Sequence, residues 1–204
     1  MAGAVLREYF PAMPDYSNFL KQKKKHAKAF FSLAQREEKS GFLLIDSTPL
    51  PACENIRANR HRTFRGMANW THSSTKTPFG LRLHLVLAEK QKITQFEISS
   101  GNLHAAAGAK NVLKKCPGIV IGDKGSKPLK KQLQEQGLRL VARHRKNMTP
   151  NTPIEKKLLR KRSLIETAIG KFKALFGFTL SKFRSQISAF ASISLAILAF
   201  NIPS

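Results

Sequence analysis

The cleanest alternation of apolar and polar positions runs from Phe79 to Ala88. Phe79, Leu81, Leu83, Leu85 and Leu87 fall on one side, and Arg82 and His84 on the other. A period of two predicts a β-strand with one face in a core. After the turn-like Glu89 to Lys92, Ile93 to Ile98 reads as its hairpin partner. Two continuous apolar runs, Phe42 to Ile45 and Gly118 to Ile121, suit strands covered on both faces. A further strand is expected at Leu138 to Val141. It follows a helix from about Lys127 to Gln136, which Gly137 closes as a C-cap.

Elsewhere the period is helical. Tyr16 to Gln35 has helical character, carries the solvated run KQKKKHAK, and is separated from the rest by Lys39, Ser40 and Gly41. An Ala-rich helix is expected from His104 to Lys115, and two helices fill the chain beyond the break from Thr149 to Pro153. In the first of these two, Leu158, Ile165, Ile169, Phe172 and Phe176 form a stripe that must bury. Leu159, Arg162 and Lys173 lie within about 40° of Glu166 on a neighbouring stripe. The last segment, Ile187 to Ile202, is apolar and serine-dotted but shorter than the roughly 20 residues of a membrane span. It reads as a buried core helix. The order strand, hairpin, helix, strand, helix, strand, helices predicts an α/β fold, a mixed sheet with helices on its faces. Residues 1–40 form a small helical appendage to a main domain at 41–204.

Charge narrows the partner. Lys and Arg number 36 against 12 Asp and Glu, a formal net charge of +24 spread along the chain. Such an excess disfavours an enzyme of small metabolites and favours a polyanion, nucleic acid before membrane. Arg57, Arg60, Arg62, Arg65 and Lys76 surround the single Trp70 in a long loop that ends at Pro78. Cys53 and Cys116 stand without CxxC spacing or a ligand cluster, which argues against zinc or a disulfide framework. Reduced thiols in a cytoplasmic protein fit better, and no apolar run of signal-peptide length opens the chain.

Within so basic a chain, two apolar strands end in aspartate: FLLID at Asp46 and GIVIGD at Asp123. Desolvation penalises such a charge unless a cation, a donor or a metal compensates. Ligands of open α/β sheets gather where strands end in this way. Glu166 supplies a third acid at the edge of a buried stripe. Singly, each has a bland reading: the aspartates as turn formers or helix caps, and Glu166 as an i, i+4 partner of Arg162 worth roughly 0.3–0.5 kcal/mol. Together they are the oxygen donors that a pair of Mg2+ ions about 3.5–4 Å apart requires, with Mn2+ as the substitute ion. Arg162 and Lys173 would then clamp phosphates on either side.

The ordered motifs IDSTPLPACENIRANRHRTFRG, FGLRLHLVL, Gly101-Asn102, IGDKGS, RHRKNM and LLRKRSLIETAIGKFK resemble the catalytic domain of DDE transposases of bacterial insertion sequences. The likeness is nearest to the insertion-sequence 982 group and covers roughly Gly41 to Ser204. It implies a ribonuclease-H-like fold, a divalent metal pair, and cleavage at element ends followed by strand transfer into target DNA. The triad carries over as Asp46, Asp123 and Glu166, and Arg162, Glu166 and Lys173 match part of the signature of the related insertion-sequence 4 group. DNA contacts are expected from Arg57, Arg60, Arg62, Arg65, Lys124, Arg162 and Lys173, and a homodimer on DNA is the family expectation. Ser126 and Leu159 stand where the related patterns have tyrosine. Family members carry roughly a hundred further residues ahead of this region, so the chain reads as N-terminally truncated. A basic DNA-binding remnant without catalysis and a ribonuclease-H-like nuclease are the alternatives. Trp70 could stack on a base or cover local apolar surface. His84 and Arg82 could approach the metals or DNA, or His84 could be a satisfied sheet-face residue. Lys146 and Asn147 are expected to touch DNA or to cap the final helical region.

Overall fold

The computed structural model describes residues 11–35, 40–71, 77–103, 112–113, 118–123, 130–135, 137–144, 150–177 and 179–202. The expected positions Lys76, Cys116, Lys124, Ser126, Lys146 and Asn147 lie outside them, as does most of His104 to Lys115.

The strands are β1 (Phe42–Pro51), β2 (Asn69–Trp70), β3 (Phe79–Ala88), β4 (Ile93–Ser100), β5 (Gly118–Gly122) and β6 (Leu138–Ala142). Among the described residues they form one sheet in the order β2-β3-β1-β5-β6, with β4 also paired to β3. Pairing of β3 with β1 and β4 is antiparallel, whereas β1, β5 and β6 run parallel. The sheet is therefore mixed, as the element order predicts.

β1 is longer than its apolar run. It continues through Asp46 to Pro51 because β3 holds it along the whole length, from Leu43 opposite Ala88 to Pro51 opposite Gly80. On its other side β5 pairs only with Phe42, Leu43 and Leu44. The second half of β1 is thus an edge, the setting in which Pro49 and Pro51 cost no ladder bond.

Alternation on β1 and β3 sends side chains to two cores. Leu44 and Leu50 join Leu81, Leu83, Leu85 and Leu87 on one face. Leu43, Ile45, Val86 and Ala88 lie on the other, with Val120, Leu133 and Leu140. The first face is covered by α5 (Ser163–Phe176), through Ile165, Ala168, Ile169 and Phe172, and by α6 (Gln186–Phe200). The second face receives Val112, Leu113 and Leu133 of α3 (Lys130–Glu135).

α6 is the core helix that the sequence predicts, and its serines are absorbed locally. Ser192 Oγ and Ser194 Oγ donate to the carbonyls of Ser188 and Phe190, one turn back. Asn201, just past its end, clamps the start of β4: the Ile93 N–H donates to Asn201 Oδ1 at 2.9 Å, and Asn201 Nδ2 donates to Ile93 O at 2.7 Å. No helix among the described residues is long and apolar enough to cross a membrane.

The basic N-terminal segment forms α1 (Tyr16–Lys25) and α2 (Ala27–Ala34). Both pack on the main body. Lys23 Nζ donates to Ser192 Oγ at 2.9 Å, Phe31 meets Phe96 edge-on, and Gln35 Nε2 donates to Phe96 O.

Where one uninterrupted helix is expected around Glu166, the chain breaks. α4 (Pro153–Arg160) stops at Lys161, and α5 begins after Arg162. The bonds across the junction span three residues, Arg162 N–H to Leu159 O and Ile165 N–H to Arg162 O, each 3.2 Å. A tight turn of this kind preserves helical spacing in the sequence while re-aiming the axis.

Candidate functional site

Register brings the two aspartates together. Leu44 lies beside Ile121 in the parallel pairing of β1 and β5. Two residues further along each strand, past the end of that pairing, stand Asp46 and Asp123. Asp46 points to the face that also carries Leu44 and Thr48, the face covered by α5, which brings Glu166 in its first turn.

Arg162 sits between the three acids. Its Nη2 lies 3.7 Å from Asp46 Oδ2 and 3.3 Å from Glu166 Oε1, and its Nη1 lies 3.4 Å from Asp123 Oδ1. One guanidinium thus bridges side chains from β1, from the end of β5 and from α5. The Asp46 side chain is 24% exposed, against 55% for Asp123 and 57% for Glu166, so Asp46 forms the floor and the others the rim.

Burial is the largest influence on Asp46 and pushes its carboxyl above the usual range; the charges of Asp123 and Glu166 add to the rise. The Ser47 N–H, donating to Asp46 Oδ1 at 2.7 Å, and the charge of Arg162 oppose it. Lys173, two turns along α5 from Glu166, is pushed down by burial while the charge of Asp46 pulls it up. It belongs to the same electrostatic neighbourhood.

A family model for the transposase DDE domain matches residues 36–186. The chain belongs to this family. The matched span contains all three acids, the basic loop, Arg162 and Lys173. No curated protein matches the chain significantly.

For the DDE domain, suitability for a divalent metal has two sides. The donors are right in kind: three hard carboxylates already converge on one positive group. Their spacing is that of a guanidinium cage, and among the described residues no three Asp, Glu, His or Cys side chains lie close enough to hold one ion. The donors thus suit a metal in kind, and the place between them is held by Arg162.

The remaining expected residues are distributed differently. Arg57 and Arg60 lie on a 3-10 turn (Asn55–Arg60), and with Arg62 and Arg65 they are exposed and without an ion pair among the described residues. They do not begin beside Asp46. The strand carries the chain five residues past it, about 16 Å at roughly 3.3 Å per residue. Asn55 then ties the loop to the far end of β3, accepting from Phe79 N–H and donating to Thr77 O.

Trp70 covers local surface, edge-on to Phe79 with ring centroids 5.5 Å apart, and stays 39% exposed. His84 is a satisfied sheet residue. It projects from the face opposite to Asp46, is 1% exposed, and places Nε2 2.8 Å from Ser99 Oγ. Arg82, on that same face, donates to Ser47 Oγ at 3.2 Å. Pattern reading missed two features of the site: the Ser47 N–H that holds Asp46, and the position of Arg162 at the centre of the acids. The second had a signal, since Arg162 stands one turn before the third acid in a segment where the pattern runs through the break.

Proposed function

We propose that the domain is a transposase core of ribonuclease-H-like fold that cuts DNA at the ends of an insertion sequence and joins them to a target. The observation that carries this reading is the meeting of Asp46, Asp123 and Glu166, remote in sequence, on one guanidinium. Divalent ions, Mg2+ first, would be held by these three carboxylates, and when bound they supply activation of the attacking oxygen and stabilisation of the leaving one. Asp46, on the floor, fixes the depth of the site, because the Ser47 N–H sets its orientation. Asp123 and Glu166 complete the rim. Lys173 and Arg162 hold phosphate oxygens from the α5 side, and the exposed arginines of the loop grip the backbone further along. DNA is thus the partner, as element ends and as target, and two copies of the chain on paired ends would follow the family pattern.

A second reading is a basic DNA-binding chain without catalysis, related to a longer transposase of the insertion-sequence 982 type. The spacing of the acids favours it, since none of the described groups holds three ligands close enough for one ion. Incubation of the full chain with Mg2+ and DNA carrying element ends separates the two. The transposase reading expects nicking and joined products that Asp123→Ala abolishes; equal products from both chains, or none, would overturn it. Cleavage without joining would assign a nuclease instead.

A further inference from the structure

Arg162 has an unusual place. A side chain expected on the flank of the acids, gripping phosphate, lies at their centre, within 3.3 to 3.7 Å of all three. Its hold there is loose. Each of the three contacts is longer than the roughly 2.7–2.9 Å of a tight guanidinium–carboxylate bond. Its Nε is buried and has no hydrogen-bond partner among the described residues. A guanidinium kept by charge alone, with one donor unsatisfied, is a cation in a site that does not match its fork.

The charges explain why something must stand there. Three carboxylates around one point repel one another, and all three lie within 3.7 Å of the same guanidinium. One guanidinium offsets part of it, and a divalent cation would offset more. The two cannot share the centre, because like charges at about 4 Å oppose each other even at the surface of a protein. Arg162 stands at the tight turn of the α4–α5 junction, and its side chain is 28% exposed, so the group is not enclosed on every side.

We infer that Arg162 is the resident counter-ion of the acid cluster and that a divalent metal ion and its guanidinium occupy the centre in turn. Without metal, the arginine keeps three like charges gathered. Metal entry expels it, and the freed fork, still anchored beside Glu166, turns to the DNA backbone. Loading of the site and grip on the substrate are then one event. This rests on the transposase reading above.

Binding of Mn2+ to the full chain, freed of metal by chelation and without DNA, tests it through the paramagnetic resonance signal of unbound Mn2+. Removal of an internal competitor should make Arg162→Gln bind about tenfold more tightly than the parent, the equivalent of about 1.4 kcal/mol. Arg162→Lys, whose compact ammonium cannot span three carboxylates, should fall between them. Addition of Asp123→Ala to Arg162→Gln should remove the gain. Equal or weaker binding by both single variants overturns the inference and leaves the transposase reading standing, with Arg162 a fixed part of the site. Absence of Mn2+ binding in the parent and in every variant overturns both. If circular dichroism shows Arg162→Gln unfolded, Arg162→Lys decides by the same sign.

Discussion

His84 shows how a single side chain carries the environment of a whole sheet. Burial, reinforced by the charge of Arg82, lowers its pKa to about 4, so the ring is neutral in the fold. The unfolded chain takes up that proton near pH 6.5, and between those values the unfolded state binds more protons. Stability contributed by neutral His84 is therefore full above about pH 6.5 and is lost as pH falls towards 4, by about 3 kcal/mol. His84→Gln keeps a donor towards Ser99 but cannot titrate. Urea unfolding at pH 7 and pH 4 should show the parent losing about 3 kcal/mol more than the variant. Asp46, raised in the fold, pulls the opposite way, and comparison of the two chains cancels it. The sequence places His84 on the polar side of a period-two strand but cannot tell a solvated face from one roofed by a second layer. Gly101 is a similar case. A Cβ there would lie 2.3 Å from Asn69 O and 2.6 Å from Gly80 O, where β2 and β4 meet end to end against β3. Gly101→Ala should cost about 3 kcal/mol in chemical denaturation, because backbone atoms cannot step aside as a side chain can.

Among the elements, the strands were the most legible and the helix junction the least. Alternation in Phe79 to Ala88 specifies both a strand and the face it buries, since a slip of one residue would expose every leucine. The stripe from Leu158 to Phe176 is equally regular, yet it spans two helices. A three-residue hydrogen bond keeps neighbouring side chains on nearly the same side, so periodicity runs through the break unchanged. The start of α4 is plainer: Thr152 accepts from Glu155 N–H, and the Glu155 carboxylate accepts from Thr152 N–H in return. Thr152→Ala should cost about 1 kcal/mol in thermal unfolding. Asn201 is less visible in sequence, because an asparagine past a helix end reads only as a C-cap. In the fold it is 6% exposed and satisfies both peptide groups of Ile93. Asn201→Ala leaves a buried N–H and a buried C=O without partners, and should lower stability by about 2–3 kcal/mol, more than the cap alone would suggest.

Over the whole molecule, the acid cluster and the basic loop stand apart along β1. The acids lie at one point of β1, and the arginine loop starts about 16 Å beyond, the length of about five base pairs of duplex. A duplex laid along that line would meet both. Each loop arginine that touches a phosphate should lower the slope of log affinity against log salt by about 0.9 when changed to alanine, and equally for unrelated sequences. Fluorescence anisotropy over a range of salt would measure it; an unchanged slope for Arg57→Ala and Arg60→Ala together would remove the loop from the interface. The net charge points to a polyanion, but distance along the strand could not be read, because the apolar run ends at Ile45 while pairing with β3 carries β1 on to Pro51. That the basic N-terminal helices dock on α6 through Lys23 and on β4 through Phe31 was hidden for a related reason: a lysine-rich run looks solvated until one of its members is found inside. The parallel seam between β1 and β5 has a consequence for the cell that makes this chain. Asp46 leaves the ribosome long before Asp123, and Asp123 long before Glu166, so a nascent or prematurely terminated polypeptide lacks the assembled acids. The cluster of three acids around Arg162 is thereby withheld until synthesis has passed α5.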